Sequence, residues 1–282
     1  MSKIAIVTDS TAYLPEAFVE GHNIRVVPLK IHWDGANLED GIDITPSEFY
    51  ERLAKSSTIP TTSQPPVDEF LQIYEELAAD YDGIIVPLIS SGISGTVFSA
   101  TSAASMFTKI PVEVIDTRAT AAGLALIDIA VAEAIADGEN LVTIKDLAEA
   151  IVQRLDLFFA VDTLRYLHKG GRIGGASRYF GTALKIKPIL YLDKDGKIDA
   201  LDRVRTKRKA MEKLVQLAVD NAAGKPVHVG IMHADALDDA TRLQSQLRSQ
   251  LDCRQSGIYE ISPVIGTHVG PGCLGIAVYT DE

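Results

Sequence analysis

The sequence GIIVPLISSGISGT occupies residues 83–96, and VFSATSAASMF follows it at residues 97–107. Residues 83–89 are a continuous apolar run, which is typical of a strand buried on both faces. Residues 97–107 are predicted to form a helix. Between the two, residues 90–96 are three serines, two glycines, a threonine and an isoleucine, with no charge among them. A strand, a tight loop and a helix in this order form the repeating unit of an α/β fold.

Strand and helix patterns alternate along the first half of the chain. Thr45, Pro46 and Glu48 form a capping box that predicts the start of a helix. Further helices are predicted at 15–21, 65–81, 97–107 and 121–138, and strands at 3–7, 24–33, 83–89 and 112–116. This alternation predicts a parallel sheet covered by helices on both faces.

The pattern changes after about residue 158. The segment KPILYLDKDGKIDALDRV, residues 187–204, predicts a hairpin about its Asp-Gly turn, and strands alternating with helices follow it. The fold class is therefore predicted as α/β with two domains. Residues 1–158 are expected to hold a mostly parallel sheet flanked by helices, and residues 159–282 a mixed sheet with helices.

Composition limits the classes of function. The 282 residues are 46% hydrophobic and 23% charged, as in soluble globular proteins. The opening MSKIAIVTDS does not match a signal peptide, and no stretch approaches the ~20 apolar residues of a membrane span. Cys253 and Cys273 are too few for a disulfide scaffold. These features predict a cytoplasmic protein without integral membrane association.

The net charge of −11 argues against nucleic acid as a partner. The charge is uneven, because residues 165–213 contain 14 Lys and Arg against 5 Asp and Glu. This basic segment is either a docking surface for a partner or a solvated helix face, and the sequence leaves both open.

Several chemistries lack their motifs. GISGT resembles a nucleophile elbow, but Thr96 stands where that motif needs glycine. Ser94 and His268 could still act as nucleophile and base, so a serine hydrolase acting on acyl esters remains an alternative. The six histidines show no metal-ligand spacing, and no dinucleotide fingerprint or P-loop is present. We therefore expect neither a metal nor a nucleotide cofactor.

Three polar segments suggest an anion site instead. Ser94 is predicted to cap the helix that follows it, PTTSQP at 60–65 precedes another helix, and GTHVGPG at 266–272 is predicted to be a loop. Hydroxyl and imidazole groups suit a carboxylate better than a phosphate, which usually recruits Lys or Arg. Asp9, at the end of the first strand, is either a turn residue or a neighbour of the site.

Six motifs appear in a fixed order along the whole chain: VTDSTAYLP (7–15), TTSQPP (61–66), SSGISGT (90–96), VIDTRATAAG (114–123), LHKGGRIGG (167–175) and GTHVGPGCLG (266–275). As a set, they resemble the DegV family, and in particular the fatty-acid-binding subunit of bacterial fatty acid kinase. The resemblance implies two α/β domains with a ligand tunnel between them. It also implies a non-enzymatic carrier that sequesters a long-chain fatty acid. The fatty acid is then the ligand of the protein, and no cofactor is expected.

The resemblance also implies roles for particular residues. Thr62, Ser94 and His268 are expected to hold the fatty acid carboxylate. Arg172 is expected to face the partner kinase, which would phosphorylate the presented carboxylate. The expected pocket neighbours are Ser63, Ile93, Gly95 and Thr96. Pro66 and Ile93 depart from the usual family pattern, and Ile93 is expected to alter the tunnel.

Overall fold

A computed structural model describes residues 2–181 and 186–281. The strands are β1 (Ile4–Asp9), β2 (Arg25–Val27), β3 (Lys30–Trp33), β4 (Ala36–Glu39), β5 (Thr61–Ser63), β6 (Gly83–Leu88), β7 (Val112–Asp116), β8 (Asp156–Ala160), β9 (Lys187–Leu192), β10 (Ile198–Val204), β11 (Val227–His233), β12 (Cys253–Glu260) and β13 (Leu274–Thr280). The helices are α1 (Glu16–Gly21), α2 (Pro46–Lys55), α3 (Val67–Leu77), α4 (Thr96–Met106), α5 (Ala122–Ala136), α6 (Leu141–Arg154), α7 (Arg165–Lys169), α8 (Lys207–Ala222), α9 (Leu237–Gln250) and α10 (Pro263–Val269). Short 3-10 helices span Ser10–Ala12 and Gly174–Tyr179.

The first sheet is parallel, with strand order β2-β1-β6-β7. Every residue of β1 and β6 is buried, which explains their continuous apolar sequences. Helices α3 and α4 pack on one face, while α5 and α6 pack on the other. This confirms the predicted parallel sheet flanked by helices, and the predicted capping box of Thr45 and Glu48 is also present.

The predicted long strand at 24–33 is wrong. The structure divides it into β2 and β3, with Pro28 and Leu29 between them. Proline has no N–H to continue a ladder, so the chain leaves the parallel sheet at this point. Strand β3 then pairs antiparallel with β4 and β5 in a separate three-stranded sheet.

The second large sheet is mixed, with strand order β10-β9-β8-β13-β11-β12. Its neighbours are antiparallel except for β11 and β12. The predicted hairpin at 187–204 is confirmed as β9 and β10. The predicted domain boundary at residue 158 falls inside β8, which pairs with β9 and β13 of this sheet.

Helix α5 lies between the two large sheets. It contacts β1 and β6 on one side and β11 and β13 on the other. Eleven of the fifteen residues of α5 are buried, as expected for a helix that packs against a sheet on each side. Gly230 of β11 permits this close approach, because a Cβ atom there would lie 2.8 Å from Ala122 Cβ. Among the helices in the described ranges, none is long and apolar enough to cross a membrane.

Candidate ligand-binding site

A cavity lies where the two large sheets and α10 meet. It contains about 900 Å³ of space between protein atoms, counting the open solvent at its mouth. Most of its wall is apolar and comes from both halves of the chain. The apolar lining residues are Leu29, Ile89, Ile93, Leu157, Phe159, Leu192, Ile198, Met232, Ile261, Val264, Ile265, Val269 and Cys273.

The polar end of the cavity is built around Thr62 and His268. The Oγ1 atom of Thr62 and the Nε2 atom of His268 are 2.8 Å apart and hydrogen-bonded. Thr62 is fixed in β5 by its pairing with Ile31 of β3. His268 lies in the last turn of α10, so the prediction that residues 266–272 form a loop is wrong for residues 266–269.

The environment of His268 keeps its imidazole neutral. Burial, together with the nearby positive charge of Arg172, lowers the pKa of His268 to about 4. The Nδ1 atom is buried and has no hydrogen-bond partner among the residues described. It faces Gly170, where an added Cβ would overlap it. His268 therefore acts near neutral pH as a hydrogen-bonding group and not as a cation.

Ser94 lies on the loop that follows β6. Its Oγ is 2.9 Å from Thr96 Oγ1 and accepts a hydrogen bond from the Thr96 N–H at 3.4 Å. The prediction that Ser94 is the N-cap of α4 is wrong by one residue, because Gly95 occupies that position. A Cβ on Gly95 would overlap the Gln64 side chain, so this glycine lets the Ser94 loop pack against the TTSQPP segment.

Glycine is needed at position 92 for contact with the β9–β10 hairpin. An ideal Cβ on Gly92 would lie 2.5 Å from the Asp195 carbonyl oxygen and 2.6 Å from that of Gly196. Ser90 Oγ also donates a hydrogen bond to the Gly196 carbonyl at 2.8 Å. The uncharged loop at 90–96 thus holds the mixed sheet against the parallel sheet at the edge of the cavity.

Arg172 connects the Ser94 loop to the turn after α7. Its Nε donates to the Ile93 carbonyl at 3.1 Å, and its Nη1 donates to the Gly170 carbonyl at 3.0 Å. The side chain lines the cavity and also a groove on the surface, which shares Ile93, Ser94 and Ile198 with the cavity. A cation therefore lies at the polar end, in addition to the hydroxyl and imidazole groups that the sequence predicts there.

The basic segment at 165–213 includes residues 182–185, which lie outside the described residues. Several of its cations form ion pairs, including Arg178 with Asp199, Lys187 with Asp162 and Lys213 with Asp202. Asp199 and Asp202 belong to the segment itself, so of these three pairs only the one with Asp162 lowers its net positive charge. Arg172 and Lys197 both line the groove beside the cavity.

The structure brings most of the predicted site residues together. The cavity is lined by Thr62, Ser63, Ile93, Ser94, Arg172 and His268. Gly95 and Thr96 do not line the cavity, because Gly95 lines the neighbouring surface groove and Thr96 Oγ1 is hydrogen-bonded to Ser94 Oγ. Ser63 Oγ is hydrogen-bonded to His32 Nε2 at 2.9 Å. Gln64 and Thr120 also line the cavity and were not predicted, although both lie in the quoted motifs TTSQPP and VIDTRATAAG.

Asp9 is a structural residue at the end of β1, where it caps the 3-10 helix Ser10–Ala12. Its carboxylate accepts hydrogen bonds from the Thr11 N–H, the Thr11 hydroxyl and the Ile89 N–H. Asp9 does not line the cavity. In the described ranges, no group of three or more His, Cys, Asp and Glu side chains could hold a metal ion.

The geometry does not favour the hydrolase alternative. His268 Nε2 is bonded to Thr62 and Ser94 Oγ to Thr96, and the described hydrogen bonds do not join Ser94 to His268. A pKa of about 4 also makes His268 a weak base, whereas a general base works best with a pKa near the working pH.

Fold and site together define an α/β protein with a parallel sheet, a mixed sheet and an apolar cavity that is polar at one end. The model of the DegV family, described as "Uncharacterised protein, DegV family", matches residues 3–281. The chain therefore belongs to the DegV family. It is 36% identical to Protein DegV of Bacillus subtilis over 276 residues, which are 97% of this chain and 98% of that protein. A DegV domain-containing protein of Streptomyces coelicolor is 39% identical over 277 residues, 98% of each chain.

Solved structures support the same assignment. A fatty-acid-binding DegV family protein of Thermus thermophilus superposes with a TM-score of 0.94 at 33% identity, over 99% of this chain and 100% of that one. DegV of B. subtilis, a fatty acid binding protein, gives 0.89 at 34% identity over the whole of both chains. A stearic-acid-binding protein of Eubacterium ventriosum gives 0.88 at 26% identity, over 99% and 98%.

Proposed function

We propose that this protein is a non-enzymatic carrier that binds one long-chain fatty acid in the cavity between its sheets. The observation that carries the proposal is the cavity itself, with an apolar wall and a hydrogen-bonded polar cluster at one end. Burial of an acyl chain contributes roughly 0.8 kcal/mol per methylene, while one neutral hydrogen bond contributes about 1 kcal/mol. The chain therefore sets the affinity, and the polar cluster sets the orientation.

The carboxylate is proposed to bind at Thr62 and Ser94, whose hydroxyl groups are each hydrogen-bonded to a neighbouring side chain. When Nε2 of His268 carries the proton, it donates to Thr62 Oγ1 and leaves the Thr62 hydroxyl proton for the ligand. When Thr96 donates to Ser94 Oγ, the Ser94 proton is free in the same way. His268 thus contributes chiefly through Thr62, while the Arg172 guanidinium nearby donates to the Ile93 and Gly170 carbonyls.

We further propose that the carrier presents this carboxylate to a partner kinase, which forms the acyl phosphate. The polar end lies beside the surface groove that shares Ile93, Ser94 and Arg172 with the cavity. A phosphoryl donor held by a partner could approach through that groove, and its negative charge would suit Arg172 and Lys197. The proposed compartment is the cytoplasm, in keeping with the free thiols of Cys253 and Cys273.

Native mass spectrometry tests the carrier function. Protein purified from bacterial cells is expected to carry a mass increment of one fatty acid per chain, which denaturing extraction releases and identifies. Thr62→Val is expected to weaken binding, whereas Thr61→Val is a matched control because Thr61 lies on the same strand without lining the cavity. A protein that stays ligand-free after incubation with saturated and unsaturated fatty acids would contradict the proposal.

Arg172→Ala tests the presentation of the carboxylate. We expect fatty acid occupancy to remain within about twofold of wild type, while acyl phosphate formation with a DegV-associated kinase falls at least tenfold. Arg172→Lys keeps the charge but loses the two-carbonyl bridge, so it separates the charge from the loop contact. If occupancy fell as much as phosphorylation, Arg172 would belong to the pocket alone.

A further inference from the structure

Thr120 places a hydroxyl group without a protein partner in the wall of the cavity. The residue is 8% exposed and lines the cavity just before α5. Its Oγ1 is buried and forms no hydrogen bond within residues 2–181 and 186–281. Native proteins seldom leave a buried hydroxyl unpaired, because its lost hydration is not replaced. A partner supplied by the ligand would remove this cost.

The backbone around Thr120 is held in an unusual conformation. Arg118 has a φ of 50° and Ala121 a φ of 49°, a region that residues with side chains rarely adopt. Backbone outliers of this kind concentrate at ligand sites. The segment also follows β7, and α/β sheets bind ligands at the carboxyl ends of parallel strands. These observations indicate that Thr120 is positioned for binding.

The segment that carries Thr120 is attached to the end of β6. The Ser90 N–H donates to the Ala119 carbonyl at 2.8 Å, which places Thr120 beside the end of β6 and near Ile89. Leu157 and Phe159 line the same cavity from β8. The Thr120 carbonyl already accepts the Gly123 N–H at 3.0 Å, so the hydroxyl is the group that remains unpaired.

We propose that Thr120 determines ligand specificity by hydrogen-bonding a hydroxyl group on the acyl chain. This inference rests on the proposed fatty acid binding. A threonine hydroxyl both donates and accepts, so it matches an alcohol, whereas an unsubstituted chain leaves it unpaired. The favoured ligands are monohydroxy fatty acids whose hydroxyl reaches Thr120 when the carboxylate lies at Thr62 and Ser94.

The test compares wild type with Thr120→Val, which keeps the shape and removes the hydroxyl. Stearic acid competes against a positional series of monohydroxystearic acids, and bound ligand is counted by native mass spectrometry. Wild type is expected to favour one positional isomer by about fivefold, the ratio that one neutral hydrogen bond gives. Thr120→Val should lose that preference and bind stearic acid more tightly. Thr61→Val is the control, since Thr61 is exposed and does not line the cavity.

The other outcomes are distinct. If the isomer ratios are the same in wild type and Thr120→Val, water satisfies Thr120 and the inference is overturned. Equal weakening of every ligand in Thr120→Val would make Thr120 a contact of the carboxylate, which also overturns it. If wild type binds no fatty acid of either kind, the proposed carrier function itself fails.

Discussion

A Gly170→Ala variant is expected to bind fatty acid at least tenfold more weakly than wild type. The added methyl group would overlap Nδ1 of His268 and lie 2.8 Å from its Cε1 atom. The imidazole must then move, which breaks its 2.8 Å hydrogen bond to Thr62. Loss of support for a charged head group costs roughly 1.5–3 kcal/mol, or about ten- to a hundredfold in affinity.

A double-mutant cycle shows whether Gly170 acts through His268. Affinities are measured for Gly170→Ala, His268→Ala and the double variant, with thermal unfolding as a check on folding. In the His268→Ala background the obstruction disappears, so Gly170→Ala should add less than twofold. Gly21→Ala is the control for glycine substitution, because a Cβ there meets no atom within 4 Å. Additive losses would show that Gly170 acts on the fold and not on His268.

The sheets could be predicted because their burial leaves a direct pattern. Strands β1 and β6 are covered on both faces, so all their residues are buried and mostly apolar. The Asp-Gly turn of the hairpin supplies the positive φ that a tight connection needs, since Gly196 has a φ of 69°. These strands and the hairpin turn are determined by neighbouring residues in the sequence, so they can be predicted from it.

Helix α10 was missed although a signal for it was present. Ser262 accepts a hydrogen bond from the Ile265 N–H, and Pro263 occupies the first helical position. The helix has seven residues and ends at Gly270, which has a φ of 73°. Its glycines and proline suggested a loop, but tertiary packing holds it, since six of its seven residues are buried.

The polar end of the site could be predicted and its wall could not. Thr62, Ser94 and His268 come from three distant segments, and the order of the motifs linked them before the structure brought them to one cavity. Residues such as Leu157 and Met232 have the same alternating pattern as any core strand. Whether an apolar residue fills a core or lines a cavity depends on what faces it across the sheets, which periodicity does not encode.

Asp40 anchors the helix that carries His268. It is 2% exposed and follows β4. Its carboxylate accepts hydrogen bonds from the Ser10 hydroxyl at 2.7 Å and from the Val264 N–H, in the first turn of α10, at 3.1 Å. Tyr50 adds a hydrogen bond to the Ile261 carbonyl at 3.0 Å. The N-terminal half thus holds the start of α10, and with it the position of His268.

Burial raises the pKa of Asp40 to about 7, and the nearby Asp9 carboxylate acts in the same direction. The folded protein therefore holds a proton at Asp40 that the unfolded chain releases near pH 4. A raised carboxyl pKa contributes stability that is complete below the unfolded pKa and is lost as pH rises through the folded pKa. The contribution of Asp40 to the free energy of unfolding should therefore fall between about pH 4 and pH 7.

Chemical denaturation of wild type and Asp40→Asn across pH 4.5–8.0 measures this contribution. The wild-type free energy of unfolding minus that of Asp40→Asn should fall by roughly 1 kcal/mol per pH unit up to about pH 7 and stay constant above it. Taking this difference cancels the titration of other buried carboxyl groups. Asp40→Ala should be less stable than Asp40→Asn by roughly 2–4 kcal/mol at every pH, because it leaves the Val264 N–H and the Ser10 hydroxyl without their acceptor. A difference that does not change with pH would mean that Asp40 holds α10 without exchanging a proton in this range.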